Sequence, residues 1–150
     1  MYRKILVPLD GSETATCSLD DVRAVTAGNP DAEIVLLMAA EPVKMELGFI
    51  QDKEESEKNI RAWSEKTLGE IKDRLADEGL NVSSIVTQGR PADAILDYAE
   101  KNGIDLIVMS THGRSGPSRW AFGSVADKVV RSSIVPVLVS VPRGCRLRNT

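Results

Sequence analysis

Short apolar runs alternate along the chain with longer segments in which apolar residues recur every three or four positions. The apolar runs cover residues 4–9, 33–40, 81–87, 105–109 and 135–141. The first, second and fourth runs are continuously apolar after their first residue, which is charged in each, and such runs are typical of strands buried on both faces of a parallel sheet. The third run alternates between apolar and polar positions, which favours a strand at the edge of the sheet.

The segments between these runs have helical periodicity. The predicted helices cover residues 12–27, 53–78, 91–102 and 124–132. The apolar stripe of the second helix consists of Ile60, Trp63, Thr67, Ile71 and Leu75. The inward residues of the last helix are predicted to be Val125, Val129 and Val130. Strands that alternate with helices in this way specify a three-layer α/β sheet with right-handed crossovers.

Length, charge and cysteine content exclude several classes of protein. A chain of 150 residues fits one domain, and its net charge of -3 argues against a nucleic-acid binder. One histidine and two distant cysteines, Cys17 and Cys145, cannot build a zinc site, and both cysteines are predicted to be reduced thiols, with an inter-chain disulfide as the alternative. The first apolar run is too short for a signal peptide or a membrane span, so we expect a cytoplasmic protein that does not enter a membrane.

The segment 109–124, which follows the fourth strand, has the composition of a phosphate-binding loop. It combines backbone freedom, hydroxyl donors and positive charge, supplied by Gly113, Gly116, Gly123, Ser110, Thr111, Ser115, Ser124, Arg114 and Arg119. The last predicted helix begins at Gly123-Ser124, and the free N–H groups of a helix N-terminus attract anions. The alternative is a glycine-rich turn in which Ser124 only caps the helix.

Asp10 ends the first apolar run. In an open parallel sheet, ligands bind beyond the carboxyl ends of the strands, so Asp10 and the segment 109–124 are predicted to meet there. Asp10 either caps the turn into the first helix or binds a ribose hydroxyl or an adenine amine. Both interpretations stay open on the residues alone.

Two segments carry no predicted element. Residues 41–52 form a long connection that is either a mobile lid or irregular surface. Residues 143–150 are expected to form a short basic tail after a single domain that spans residues 1–142. The tail is either a frayed end or an arm that embraces a partner subunit.

Three motifs resemble the universal stress protein family in order and spacing. They are residues 5–12 (ILVPLDGS), residues 111–116 together with 123–126, and residues 136–139. The resemblance covers nearly the whole chain. It implies a five-stranded parallel sheet in the order 3-2-1-4-5, of the Rossmann-like, adenine-nucleotide alpha-hydrolase-like type. It also implies a homodimer through the last strand, with Val137, Leu138 and Val139 at the interface.

In that family, the ATP-binding members share a sequence motif. It consists of Gly, two residues, a second Gly, nine residues, and a third Gly followed by Ser or Thr, with the first Gly three residues before the second. The aligned residues here are Ser110, Gly113, Gly123 and Ser124, so the chain departs from the pattern only at Ser110. The resemblance implies that Asp10 holds ribose or adenine and that the backbone of Ala39 meets the adenine edge. The backbone of Gly113 and Gly123 and the Ser124 hydroxyl would hold phosphates. The full set of expected nucleotide-binding residues is Pro8, Leu9, Asp10, Ala39, Met109, Ser110, His112, Gly113, Arg114, Gly116, Gly123, Ser124 and Val125.

No set of residues predicts a strong catalyst. His112 is the only histidine, no Walker lysine follows Gly123, and the paired carboxylates of a two-metal site are missing. The expected function is therefore an ATP-binding dimer with a stress-response or regulatory role toward an unidentified protein partner. AMP or ADP are the other candidate ligands, and Mg²⁺ would arrive with the triphosphate. The alternatives are a nucleotide-free dimeric interaction scaffold and a slow ATP phosphohydrolase.

Overall fold

The chain folds into a parallel sheet with helices on both faces. The structure, a computed structural model, describes residues 1–41, 50–111 and 123–141. In these residues the strands are β1 (Lys4–Pro8), β2 (Glu33–Ala40), β3 (Asn81–Gln88), β4 (Leu106–Ser110) and β5 (Val137–Ser140). The helices are α1 (Glu13–Thr16), α2 (Ser18–Thr26), α3 (Ile50–Asp77), α4 (Pro91–Lys101) and α5 (Ser124–Ser132). The strand order is β3-β2-β1-β4-β5, which confirms the expected topology.

β1 lies in the middle of the sheet because its residues can be buried on both faces. Ile5 pairs with Ile34 of β2 on one side and with Leu106 of β4 on the other. The chain adds β2 and β3 on one side of β1 and then returns to add β4 and β5 on the other side. The strand order therefore reverses between β1 and β4, and in such sheets a crevice forms beyond the carboxyl ends at that point.

The core has two apolar layers, one on each face of the sheet. Successive strand residues point to opposite faces, so one continuous apolar run fills both layers. The layer on the side of α2 and α3 includes Ile5, Val7, Leu19, Val22, Leu68, Ile71 and Leu75. The layer on the side of α4 and α5 includes Leu6, Ile107, Ile95, Ala99 and Val129.

The structure corrects part of the predicted helix faces. Trp63 is 53% exposed, although the apolar stripe assigned it to the core, and the neighbouring Ser64 is 1% exposed instead. With 28 residues, α3 is about 42 Å long, whereas the eight residues of β3 extend about 26 Å. The N-terminal half of α3 therefore projects beyond the sheet, where no core covers Trp63. In α5, Val129 is fully buried but Val130 is 43% exposed, because Val130 lies about 100° further round the helix, at the margin of the face that buries Ala126 and Val129.

Two further expectations change around Cys17. The first predicted helix, residues 12–27, is divided at Cys17 into α1 and α2. Cys17 is disulfide-bonded in the structure, so the prediction of a reduced thiol is wrong for this residue. That prediction rested on the distance between the two cysteines along the chain and on the lack of any sign of secretion, and neither of these fixes the environment of a side chain in the folded protein. Cys145 lies outside the described residues, as do most of the connection 41–52 and the tail 143–150.

Asp105 fixes the start of β4 against the start of β1. Its carboxylate Oδ2 accepts hydrogen bonds from the backbone N–H groups of Arg3, at 2.9 Å, and Lys4, at 3.0 Å. Its own backbone N–H donates to the Lys4 carbonyl at 2.8 Å. The two N–H donors hold the pKa of the Asp105 carboxyl below its usual value, because they stabilise the ionised form.

We expect Asp105→Asn to weaken the acid sensitivity of the fold. A carboxyl group with a lowered pKa in the folded state contributes stability above its unfolded pKa of about 3.9, and that contribution is lost as pH falls through the folded value. The variant should therefore be less stable than the wild type at pH 7, with the gap closing below about pH 4. Urea unfolding at pH 7 and pH 3 measures this gap, and Asp31→Asn, at an exposed turn, is the control. A gap that does not change with pH would contradict the role of the two backbone donors.

Candidate functional site

A cleft of about 550 Å³ opens beyond the carboxyl ends of β1, β2 and β4, where the strand order reverses. Its floor is formed by the ends of these strands. One side is formed by α3, through Ile60, Trp63 and Ser64. The other side is formed by the first turns of α4 and α5, through Pro91, Ile95, Ser124, Val125 and Ala126. The volume lies within the range of about 300–1,000 Å³ that is typical of small-molecule and cofactor sites.

Most of the residues predicted to bind a ligand line this one cleft. They are Pro8, Leu9, Asp10, Ala39, Met109, Ser110, Ser124 and Val125. Gly123 directly precedes Ser124 at the start of α5. His112, Gly113, Arg114 and Gly116 lie outside the described residues. The described part of the predicted site thus comes from four elements that are far apart in sequence and adjacent in the fold.

Asp10 caps the turn that leads from β1 into α1. Its Oδ1 accepts hydrogen bonds from the backbone N–H of Ser12, at 2.9 Å, and from the Ser12 hydroxyl, at 2.5 Å. The Ser12 hydroxyl oxygen in turn accepts from the backbone N–H of Ala15 at 3.2 Å, which caps α1. Asp10 is exposed and lines the cleft. Capping does not exclude ligand binding, because a carboxylate has about four lone-pair sites.

The N-terminus of α5 faces the cleft without a capping side chain. Gly123 is the N-cap residue, with φ -57° and ψ 156°, and within the described residues the helix has no side-chain cap hydrogen bond. The interpretation of Ser124 as the cap is therefore wrong, since Ser124 is already the first helical residue. Because any residue adopts the φ of Gly123, the glycine is not required by its backbone conformation. What it contributes is the absence of a side chain beside helix N–H groups that attract anions.

Ser110 fits its position without the freedom of glycine. It is the last residue of β4 and pairs with Ser140 of β5. Among the described residues, no residue other than glycine has a positive φ. The departure of Ser110 from the ATP-binding pattern therefore costs the backbone nothing, and Ser110 lines the cleft with a small polar side chain.

The contribution of α3 to the cleft was not predicted from the sequence. Trp63 lies over the turn after β1, so that a Cβ added to Gly11 would lie 2.4 Å from Cη2 of the indole. Gly11 has φ +83°, a conformation that L-residues rarely adopt. The signal available in the sequence was helix length, because a predicted helix of 26 residues beside strands of about eight must extend past the sheet.

An ion pair holds the two helices on the other side of the cleft together. Lys128 Nζ of α5 lies 2.5 Å from Asp93 Oδ1 in the first turn of α4. The hydrogen bond from Lys128 lowers the pKa of the Asp93 carboxyl. Both side chains are about half exposed, so the pair orients the helices more than it stabilises the fold.

Two absences hold for the described part of the chain. No three or more His, Cys, Asp or Glu side chains lie close enough together there to hold a metal ion. Nor does any helix in those residues have the length and apolar character needed to cross a membrane.

We expect Gly11→Ala to destabilise the protein more than Gly28→Ala. Both glycines have φ near +80°, but a Cβ on Gly28 meets nothing within 4 Å, whereas a Cβ on Gly11 meets Trp63. The conformational cost of roughly 1–2 kcal/mol should be common to both variants. The additional loss in the free energy of unfolding caused by Gly11→Ala should disappear when Trp63→Ala is introduced in the same protein. Thermal unfolding of the four variants measures both effects, and equal losses for the two glycine variants would contradict the contact with Trp63.

Comparisons with known proteins agree with this architecture. The protein-family model described as the universal stress protein family matches residues 1–142. Universal stress protein MJ0577 of Methanocaldococcus jannaschii is 31% identical in an alignment of 154 positions, which covers 93% of this chain and 94% of that protein. The solved structure of MJ0577 superposes with a TM-score of 0.82 at 33% identity, over 94% of this chain and 96% of that chain.

More distant proteins share the fold. A universal stress protein in complex with cAMP has a TM-score of 0.70 at 24% identity, over 94% of this chain and 98% of that chain. A universal stress protein family protein of Arabidopsis thaliana with AMP bound has a TM-score of 0.69 at 15% identity, over 96% of this chain and 94% of that chain. These two likenesses show the fold alone. The match over residues 1–142 and the nearer relative show more: this chain belongs to the universal stress protein family.

Proposed function

We propose that this protein binds an adenine nucleotide in the cleft at the strand reversal. The observation that carries the proposal is the division of the cleft into an apolar half and a half rich in hydrogen-bond donors. The ends of β1 and β2 and the side of α3 supply the apolar half, with Leu9, Met38 and Ile60. The end of β4 and the uncapped start of α5 supply the donors, with Ser110 and Ser124. A nucleotide has the same division between base and phosphates.

In this proposal the base lies at the end of β2. The backbone of Ala39 meets the adenine edge, and Asp10 binds a ribose hydroxyl or the adenine amine. Ala39 and Asp10 both line the cleft, at the ends of the adjacent strands β2 and β1. Pro8, Leu9 and Met109 complete the floor on which the nucleoside rests.

The phosphates would then lie against the start of α5. The Ser124 hydroxyl, the backbone beside Gly123 and the first N–H groups of the helix are the donors, and the helix dipole adds positive potential. We propose that His112, Gly113, Arg114 and Gly116 add contacts from the loop before α5. ATP is our first candidate, with AMP and ADP next. Mg²⁺ would bind mainly through phosphate oxygens and water, since the described residues contain no cluster of metal ligands.

Two proteins of this fold are complexes with cAMP and AMP. Their sequence identities to this chain are 24% and 15%, so they share its fold but are no evidence for its ligand. The residues of the cleft carry the proposal instead. They bind and orient a nucleotide, and we propose that hydrolysis is at most slow. The bound state would regulate an unidentified protein partner in the cytoplasm during stress, through a single domain of residues 1–142 with a short tail at 143–150.

The binding proposal predicts an ATP titration that depends on Gly123. Calorimetry with ATP and Mg²⁺ should show binding by the wild type. Gly123→Val should weaken binding at least tenfold, because a branched side chain then lies beside the N–H groups that hold phosphate. The matched control is Gly69→Val on α3, where an added Cβ meets nothing within 4 Å and binding should be unchanged.

Three outcomes would count against the proposal. No binding by the wild type at millimolar ATP would favour the nucleotide-free scaffold. Wild-type affinity in a folded Gly123→Val variant would show that the phosphates do not lie at α5. Rapid release of phosphate, removed by His112→Ala or Asp10→Ala, would favour a phosphohydrolase instead.

We also propose a homodimer through β5. This strand is an edge of the described sheet, and its residues Val137, Leu138 and Val139 are only half buried. The carbonyls of Pro136 and Ser140 accept hydrogen bonds from β4 and from Thr111, the residue after it. Since alternate residues of a strand point their N–H and C=O groups to opposite sides, those of Val137 and Val139 point away from β4. An apolar edge with unpaired groups is suited to pairing with its twofold mate.

Val139→Pro should abolish the dimer and leave the monomer folded. Proline removes the N–H that faces away from β4, and proline is tolerated where an edge strand turns its N–H outward. Val139→Thr keeps the N–H and the branched side chain, so this control variant should remain dimeric. Sedimentation velocity, together with circular dichroism, measures assembly and folding. A dimeric Val139→Pro variant, or a monomeric wild type, would overturn this interface.

A further inference from the structure

We infer that Trp63 is the residue on which the nucleobase stacks, an inference that rests on the proposed nucleotide binding. Trp63 is 53% exposed although its helix is packed on the sheet. It also lines the cleft, on the side of α3. A large aromatic ring that is exposed inside a concave site is a surface available to a ligand.

The turn after β1 holds the indole in place. The benzo edge of Trp63 lies against Gly11, with Cη2, Cζ2 and Cζ3 at 2.4, 3.1 and 3.4 Å from the position that a Cβ would take. The turn itself is fixed by the hydrogen bonds from Ser12 to Asp10 and by the cap on α1. The ring therefore rests on a rigid support next to Asp10, and such support reduces the entropy that a stacking side chain loses on binding.

The surroundings of Trp63 suit a planar ring better than a phosphate. On α3 the neighbouring cleft residues are Ile60, one helical turn earlier, and Ser64, which is 1% exposed. The end of β2 supplies Met38 and Ala39. Asp10 and Glu41 are the charged residues among the described lining residues, and both repel phosphate. The donors for phosphate lie on the opposite side, at the start of α5. Trp63 thus lies in the half of the cleft assigned to the base, and every base offers a π-face for stacking.

The test compares Trp63→Ala, Trp63→Phe and the control Lys66→Ala in calorimetric titrations with ATP and Mg²⁺. Lys66 is exposed one turn further along α3 and does not line the cleft. Loss of base stacking should raise the Kd of Trp63→Ala roughly tenfold. Trp63→Phe should retain most of the affinity, because phenylalanine keeps a π-face. Lys66→Ala should bind as the wild type does.

Tryptophan emission supplies a readout that a merely structural role would not change. ATP should change the emission of Trp120→Phe, in which Trp63 is the remaining tryptophan, while calorimetry shows that this variant binds ATP. Wild-type affinity in Trp63→Ala, or an emission of Trp120→Phe that does not change when calorimetry shows binding, would overturn the stacking role and leave nucleotide binding intact. Absence of ATP binding by the wild type would instead overturn the proposed function itself.

Discussion

The burial of β1 on both of its faces is the constraint on which the rest of the structure depends. A strand whose three central residues, Ile5, Leu6 and Val7, are all apolar and fully buried needs a strand on each side and a helical layer on each face. The chain meets this need by adding β2 and β3 on one side and β4 and β5 on the other. The reversal of strand order, and with it the cleft, follows from the way in which β1 is covered.

The cleft also depends on a mismatch of lengths. The strands are four to eight residues long, whereas α3 has 28 residues. The N-terminal part of α3 extends past the sheet, so it lies beside the strand ends and forms one side of the cleft. The opposite wall is made by the first turns of α4 and α5, joined by the ion pair between Asp93 and Lys128. A site of this kind is built from the ends of elements whose middles form the core.

The sequence was sufficient to predict what depends on local periodicity. The positions of the strands, the N-terminal proline of α4 and the start of α5 at Ser124 are all confirmed to within a few residues. The convergence of Asp10, Ser110 and Ser124 on one cleft also followed, because the carboxyl ends of parallel strands share an edge. Trp63 was assigned wrongly, since periodicity identifies an apolar stripe but not how far along a helix the sheet extends. Val130 was assigned wrongly because it lies at the margin of the buried face of α5. The disulfide at Cys17 and the contact of Trp63 with Gly11 are tertiary facts that no local pattern contains.

The two edges of the sheet differ in chemistry. The side chains of β3 that reach solvent include Asn81, Ser83, Ser84 and Gln88, whereas β5 carries three consecutive apolar residues. A polar outer strand offers little apolar surface to an incoming strand, so one edge is suited to extension and the other is not. A sheet with one edge suited to strand pairing accepts one partner strand, at that edge. Growth into an open filament needs two such edges, and in the described sheet only the β5 edge is of this kind.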